Sequence, residues 1–255
     1  MPESTIANSA DDRHAGTRRW WGFRVSTLLL AFVIIALILG GWKILIAPAR
    51  HAANESLCHA NLFKLCFALR MYDDANGALP PAHINGANGN PSHSWRVLIL
   101  PYLDSWGIDG NAIHQAYDFS EPWNGPTNVS LPTPVPKSRF ACPCGSEQHT
   151  TLTSYVVLVG PHTLFLGSAT VSISELPESV DPILVVEITN SDIQWIEPRD
   201  LSIGAITHSA EGNSMRLSRP HVGSFRYITA RGRLGVLPAG TTIDEIRRLA
   251  QSGVR

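Results

Sequence analysis

The residues of this sequence that could do chemistry are four cysteines, three late carboxylates, ten histidines and seven tryptophans. Cys58, Cys66, Cys142 and Cys144 offer thiols for bridges or for a soft metal. Cys142-x-Cys144 and the wider Cys58–Cys66 interval both miss the short spacing of structural zinc sites, although His59 and His149 lie near in sequence. No metal or cofactor is therefore expected. An even number of cysteines, all placed after an apolar span, points to disulfides on an oxidising side. Cys58 lies on the apolar stripe of a helix, so a bond from it to the Cys142-Pro143 segment would staple helix to sheet.

Glu187, Glu197 and Asp200 could in principle form an acid–base set for sugar hydrolysis. Their context argues otherwise, because Glu187 ends an apolar strand and Glu197-Pro-Arg-Asp200 reads as a turn with Arg199 as local charge partner. His208 and His221 flank the segment before the last strands and read as turn residues. The sequence has no G-x-S-x-G elbow, no phosphate-binding G-x-x-x-x-G-K-[ST] loop and no H-E-x-x-H pair. An enzyme is not expected. Of the tryptophans, Trp20, Trp21 and Trp42 fit membrane-interface anchors, while Trp95, Trp106, Trp123 and Trp195 belong to the part beyond. Trp95, together with Trp123-Asn124-Gly125, could offer a stacking and hydrogen-bonding surface to a glycan or peptide. Asn54 and Asn128 head glycosylation sequons.

A formal charge of −1, from 20 Lys and Arg against 21 Asp and Glu, excludes general affinity for a phosphate backbone, so no nucleic-acid partner is expected. Twenty Gly and eighteen Pro speak for many turns rather than a helical bundle, and 44% hydrophobic residues exclude a mainly disordered chain.

The elements that must position these residues start with the span. Val25–Ile46 carries a single charge and is long enough to cross a bilayer core of ~30 Å. Arg13, Arg18, Arg19 and Arg24 precede it, whereas only Lys43 near its far end and Arg50 beyond it lie on the other side, which places the amino terminus in the cytoplasm. The expected organisation is a cytoplasmic polar segment over 1–24, a transmembrane helix over 25–46 and an extracytoplasmic domain over 47–255 of an inner-membrane, single-pass protein. Ala47-Pro48-Ala49 leaves a cleaved secretory signal as the alternative.

Beyond Pro48, which is expected to kink or break the helix, Cys58, Leu62, Leu65, Leu69 and Tyr72 form one amphipathic stripe to about Asp74, closed by Asn76-Gly77. Residues 80–93 read as an exposed loop, Ser94 as the cap of a short helix, and 105–140 as irregular. Strands are predicted at Thr153–Val159, Ile183–Ile188, Ile193–Ile196, Ser224–Thr229 and Leu234–Leu237, joined as an antiparallel sheet. Thr242-Ile-Asp-Glu245 is a capping box for a terminal helix.

Arg18-Arg19, Gly22-Phe23 and the long helix resemble a prepilin-type leader, with Gly22-Phe23 as the processing junction. Further along come Cys58-His-Ala-Asn61-Leu62, Ser94-Trp95-Arg96, Pro122-Trp123-Asn124-Gly125-Pro126, Phe140-Ala-Cys142-Pro143 and Trp195-Ile-Glu197-Pro198-Arg-Asp200-Leu201. In this order the segments resemble the domain of unknown function 1559 family, pilin-like membrane-anchored proteins of planctomycete bacteria. The resemblance implies an α+β fold, with a long amino-terminal helix packed on an antiparallel sheet, long loops and a carboxyl-terminal helix. The family's usual cysteine pair falls at Cys58 and Cys142, leaving Cys66 and Cys144 as a possible second pair. Thr27 stands where pilin-like leaders carry Glu, so no pilus is expected, and Arg231-Gly232 stands where the family commonly shows Asp-Gly, so any role needing that acidic residue is lost. The expected role is structural or adhesive at the cell envelope, with the bilayer and pilin-like or secretion-system proteins as partners. The alternative is an extracytoplasmic module that binds a glycan or peptide.

Overall fold

The computed structural model describes residues 25–106, 109–131, 140–143, 151–188, 191–204, 224–238 and 241–251. The chain divides into two compact units, Met1–Ala49 and Arg50–Arg255. Within the first, the window Val25–Trp42 is long and apolar enough to cross a membrane, and none of it is buried. Gly22 and Phe23 lie outside the described residues. Helix α1 is Val25–Asn76, so Pro48 lies within it and the expected break is not there.

In the second unit the predicted stripe is the core. Cys58, Leu62, Leu65 and Leu69 are at most 1% exposed. Gly77 ends the helix with φ +77°, a left-handed turn that a Cβ would strain, and its amide donates to the Asp73 carbonyl at 2.7 Å. The stripe packs with one face of an antiparallel sheet ordered β3 (Tyr155–Val156), β5 (Ile183–Glu187), β7 (Ser224–Thr229) and β8 (Leu234–Pro238). Alternation along the strands puts Tyr155, Val185 and Ile228 on the α1 side, and Val156, Val186 and Leu237 on the other. The second face is covered by α5 (Ile243–Ala250) through Ile246 and Ala250. Thr242 caps α5 as its sequence predicts, its hydroxyl accepting from the Glu245 amide at 3.2 Å. Arg231-Gly232 makes the β7–β8 turn, with Gly232 at φ +83°.

Further expectations change. Residues 80–93 hold an antiparallel hairpin, β1 (His83–Asn85) with β2 (Pro91–Ser94), whose tip carries the Asn-Gly pairs. The stretch 105–140 contains α3 (Gly110–Ala116), capped by Asp109, and α4 (Pro126–Val129), opened by its proline. Ile193–Ile196 is not a strand. It makes a single bridge, Gln194 to Leu152, and then turns, the Glu197 amide donating to the Gln194 carbonyl at 2.9 Å and the Gln194 amide to Glu197 Oε2 at 3.1 Å, while Ile193 is fully buried and Trp195 stacks on Phe140 at 5.7 Å.

Strand pairing around residue 157 positions the site. Tyr155–Val156 pairs antiparallel with β5, whereas β4 (Leu158–Val159) pairs in parallel with β6 (Leu201–Ser202). At the switch, the Val157 carbonyl accepts from the Leu201 amide at 3.2 Å, and the Val157 amide turns to a side chain.

Candidate functional site

That side chain is Asp200. Its Oδ1 accepts from the Val157 amide at 2.9 Å, and from Arg96 Nη2 at 2.6 Å. Its Oδ2 accepts from Arg96 Nη1 at 3.3 Å and from the Trp95 indole Nε1 at 3.1 Å. Arg96 enters from α2 (Trp95–Leu98), whose Ser94 cap accepts from the Arg96 amide at 3.3 Å and from Nη1 at 3.1 Å. The remaining guanidinium protons go to the Tyr155 carbonyl, from Nε at 3.2 Å and Nη2 at 2.9 Å. The guanidinium also lies 4.8 Å from the Trp95 ring centroid, a cation–π distance.

Both side chains of the Arg96–Asp200 pair are removed from water, at 0% and 2% exposure. Burial pushes the Asp200 carboxyl up, and Arg96, the Val157 amide and the Trp95 indole pull it back. Burial likewise lowers the Arg96 guanidinium, opposed by Asp200. Fork-to-fork geometry with the other protons satisfied is what such a pair needs to persist in a dry core. Chemically it is a staple between α2 and the turn before β6, with its donors already committed.

A second buried cluster lies at the helix–sheet junction. Cys58 Sγ and Cys142 Sγ are 3.0 Å apart, and both residues are fully buried. The Glu187 carboxylate, at the end of β5 and also fully buried, has an oxygen within 4.8 Å of both sulfurs. Two thiolates on one tetrahedral zinc, with Zn–S bonds of ~2.3 Å, would sit ~3.8 Å apart. The observed separation is shorter, so these residues fit a metal poorly. The Ser154 hydroxyl accepts from the Cys142 amide at 2.8 Å, and Asn54 Nδ2 donates to the Pro143 carbonyl at 3.3 Å, fixing the cysteine segment on both sides. Cys66 points elsewhere, its Sγ 3.7 Å from the Thr229 carbonyl, and burial pushes its thiol up to about 11. Cys144 lies outside the described residues, as do His149, His208 and His221.

Glu187, Glu197 and Asp200 do not act as one carboxylate set. Glu187 faces the sulfurs, Asp200 faces Arg96, and Glu197 holds Arg199 at 2.7 Å. Trp95 is corrected as a ligand surface, because it is 0% exposed and its indole is spent on Asp200. Trp123 is half-buried against the core and Asn124 is exposed, so that part of the loop does reach solvent. Asn128 is 1% exposed, and its side chain ties the loop by accepting from the Asp118 amide at 2.9 Å and donating to the Asp118 carbonyl at 2.8 Å. A sequon asparagine held this way is closed to glycosylation in the folded domain.

A model of the family described as protein of unknown function (DUF1559) matches residues 47–174. The chain belongs to the DUF1559 family. No curated protein and no solved structure matches it. The match takes in Cys58, Trp95, Arg96, Trp123, Cys142 and Tyr155 of this DUF1559 chain, while Glu187 and Asp200 lie beyond it.

Two features escaped the sequence reading. The first is the Arg96–Asp200 pair itself, which joins two of the recognised motifs. The second is an aromatic cluster in which His93 Nδ1 meets the Tyr117 hydroxyl at 2.9 Å, with Phe119 packed on both rings. Burial lowers His93. A shallow cleft of about 360 Å³ lies beside the ion pair, lined in part by His83, Pro91, Arg199 and Ser202.

Proposed function

We propose that this chain is a single-pass inner-membrane protein. Its amino terminus is cytoplasmic and residues 47–255 form an extracytoplasmic domain with a non-enzymatic, structural or adhesive role in the cell envelope. The supporting observation is how the motif residues are used. Trp95, Arg96 and Asp200 are the polar and aromatic groups best suited to bind or react, and they are buried on one another. The apolar, unburied window Val25–Trp42 supports anchoring. In this reading Cys58 and Cys142 are oxidised to a bridge that fastens α1 to the segment before β3. Gly22-Phe23 serves as a prepilin-type junction, and Thr27 keeps the subunits from forming a pilus.

The test is protease added to spheroplasts, followed by mass analysis of what remains in the membrane. A protected fragment ending shortly after residue 46 supports the topology. A fully protected domain, or cleavage only before residue 25, overturns it. Terminal sequencing of the same material reads the junction, since a chain beginning at Phe23 marks processing there.

The cleft beside Asp200 and the exposed Asn124 next to Trp123 favour a second reading, a glycan- or peptide-binding module. Its test is Trp123 fluorescence across glycan and peptide panels, with buried Trp95 as the internal constant. No response in any panel counts against it.

A further inference from the structure

We infer that Glu187 is the proton acceptor that lets the Cys58–Cys142 bridge close inside the folded domain. The inference rests on the bridge proposed above and adds the step that forms it. The other β5 residues are Ile183, Leu184, Val185 and Val186, all buried, so Glu187 interrupts an apolar strand. Taking a carboxylate out of water into such a place carries a desolvation cost of several kcal/mol. What lies there is a pair of sulfurs, each within 4.8 Å of its oxygen and 3.0 Å from one another, with the fully buried Tyr155 phenol facing the carboxylate and both sulfurs.

The chemistry needs a base at this point. Disulfides form by attack of a thiolate, not a thiol, on a sulfur already in a disulfide. The oxidant is a thiol–disulfide carrier outside the cytoplasm. One cysteine attacks it before Phe140–Pro143 has settled on α1, forming a mixed disulfide and releasing one carrier thiol. As the segment docks, the second cysteine is drawn out of water, and its S–H proton passes to the Glu187 carboxylate. The thiolate attacks the protein sulfur of the mixed disulfide, the S–S bond to the carrier breaks, and the carrier leaves as its second thiol. Two protein thiols are oxidised, one carrier disulfide is reduced, and Glu187 returns its proton to solvent through later breathing of the site. Glu187 is thus a positioning and proton-accepting residue for a modification of the chain's own cysteines.

The experiment follows full-length protein in detergent, refolding from urea with oxidised glutathione. Closure of the glutathione mixed disulfide is read by acid quench, alkylation and peptide mass. Wild-type closure should change little between about pH 8 and 6, whereas Glu187→Gln should slow about tenfold per pH unit, as thiolate-limited exchange does. Glu187→Asp, which keeps a carboxylate, should restore the flat profile. Parallel profiles for wild type and Glu187→Gln overturn the inference even if the variant is uniformly slower, since that is a packing loss. An aspartate variant that tracks glutamine also overturns it. Should the glutamine variant not fold, the wild-type profile decides alone, and a tenfold loss per pH unit there overturns the role. Absence of any Cys58–Cys142 peptide removes the bridge itself, a result distinct from a bridge that closes without Glu187.

Discussion

Arg96 Nη2 lies 2.6 Å from Asp200 Oδ1 across 104 residues of sequence, with both side chains sealed from water. The pair joins the Ser-Trp-Arg helix start to the Glu-Pro-Arg-Asp turn, and it fills the gap where the β3 segment changes partners. Removing one member leaves the other charged and buried. Asp200→Asn should therefore cost about 3–5 kcal/mol of stability in urea unfolding. Arg96→Met combined with Asp200→Asn should lose less than the two singles added, because only the double variant strands no charge.

The Cys58–Cys142 contact predicts a reductant-sensitive stability. Cys58→Ser should lower unfolding free energy by about 2–4 kcal/mol in oxidised protein. Dithiothreitol should lower the wild type by a similar amount and leave the variant unchanged. Equal sensitivity of both proteins would place the stabilisation elsewhere.

Cys66 gives a pH dependence at the alkaline end. Burial raises its thiol from 9.0 to about 11. Between those values the unfolded chain has lost the proton and the folded chain keeps it. Stability is therefore full below about pH 9 and falls as pH rises towards 11, by roughly 2–3 kcal/mol. The measurement is the difference in slope between wild type and Cys66→Ala, which cancels what the two proteins share. The variant should show the shallower fall.

Gly110 opens α3 against the preceding turn. A Cβ there would collide with the carbonyl oxygen of Leu100, a backbone atom that cannot swing aside. Gly110→Ala should destabilise by about 1–3 kcal/mol despite alanine's better helix propensity. Gly77→Ala meets no neighbour and tests backbone strain alone. Thermal unfolding of the two variants separates collision from conformation.

What the sequence made legible was local. The Cys58–Leu62–Leu65–Leu69 stripe, the Gly77 stop, the Ser94 cap and the Thr242 capping box each depend on neighbours within a turn or two, and each is found. The Cys58–Cys142 approach was legible from the helix stripe and the resemblance together. Arg96 was not, because an arginine in a short helix reads as a surface residue until its partner, 104 positions away, is known. Trp95 misled for the same reason, since nothing local reveals that its indole nitrogen is spoken for. Ile193–Ile196 had strand composition, but Gln194 and Glu197 close a turn on one another there. The β1–β2 hairpin hid behind its own turn residues, which dominate three- and four-residue strands.

The long separation of Arg96 from Asp200 also orders events in time. A chain made from its amino end produces α1, the hairpin and Arg96 well before Asp200 exists. Until the turn at 197–201 emerges, the guanidinium has no anionic mate and the site at Val157 no cap. The domain's centre can therefore assemble only after most of its chain has been synthesised. Its early half must be kept from aggregating meanwhile, with the stripe of α1 as the apolar surface in need of shelter.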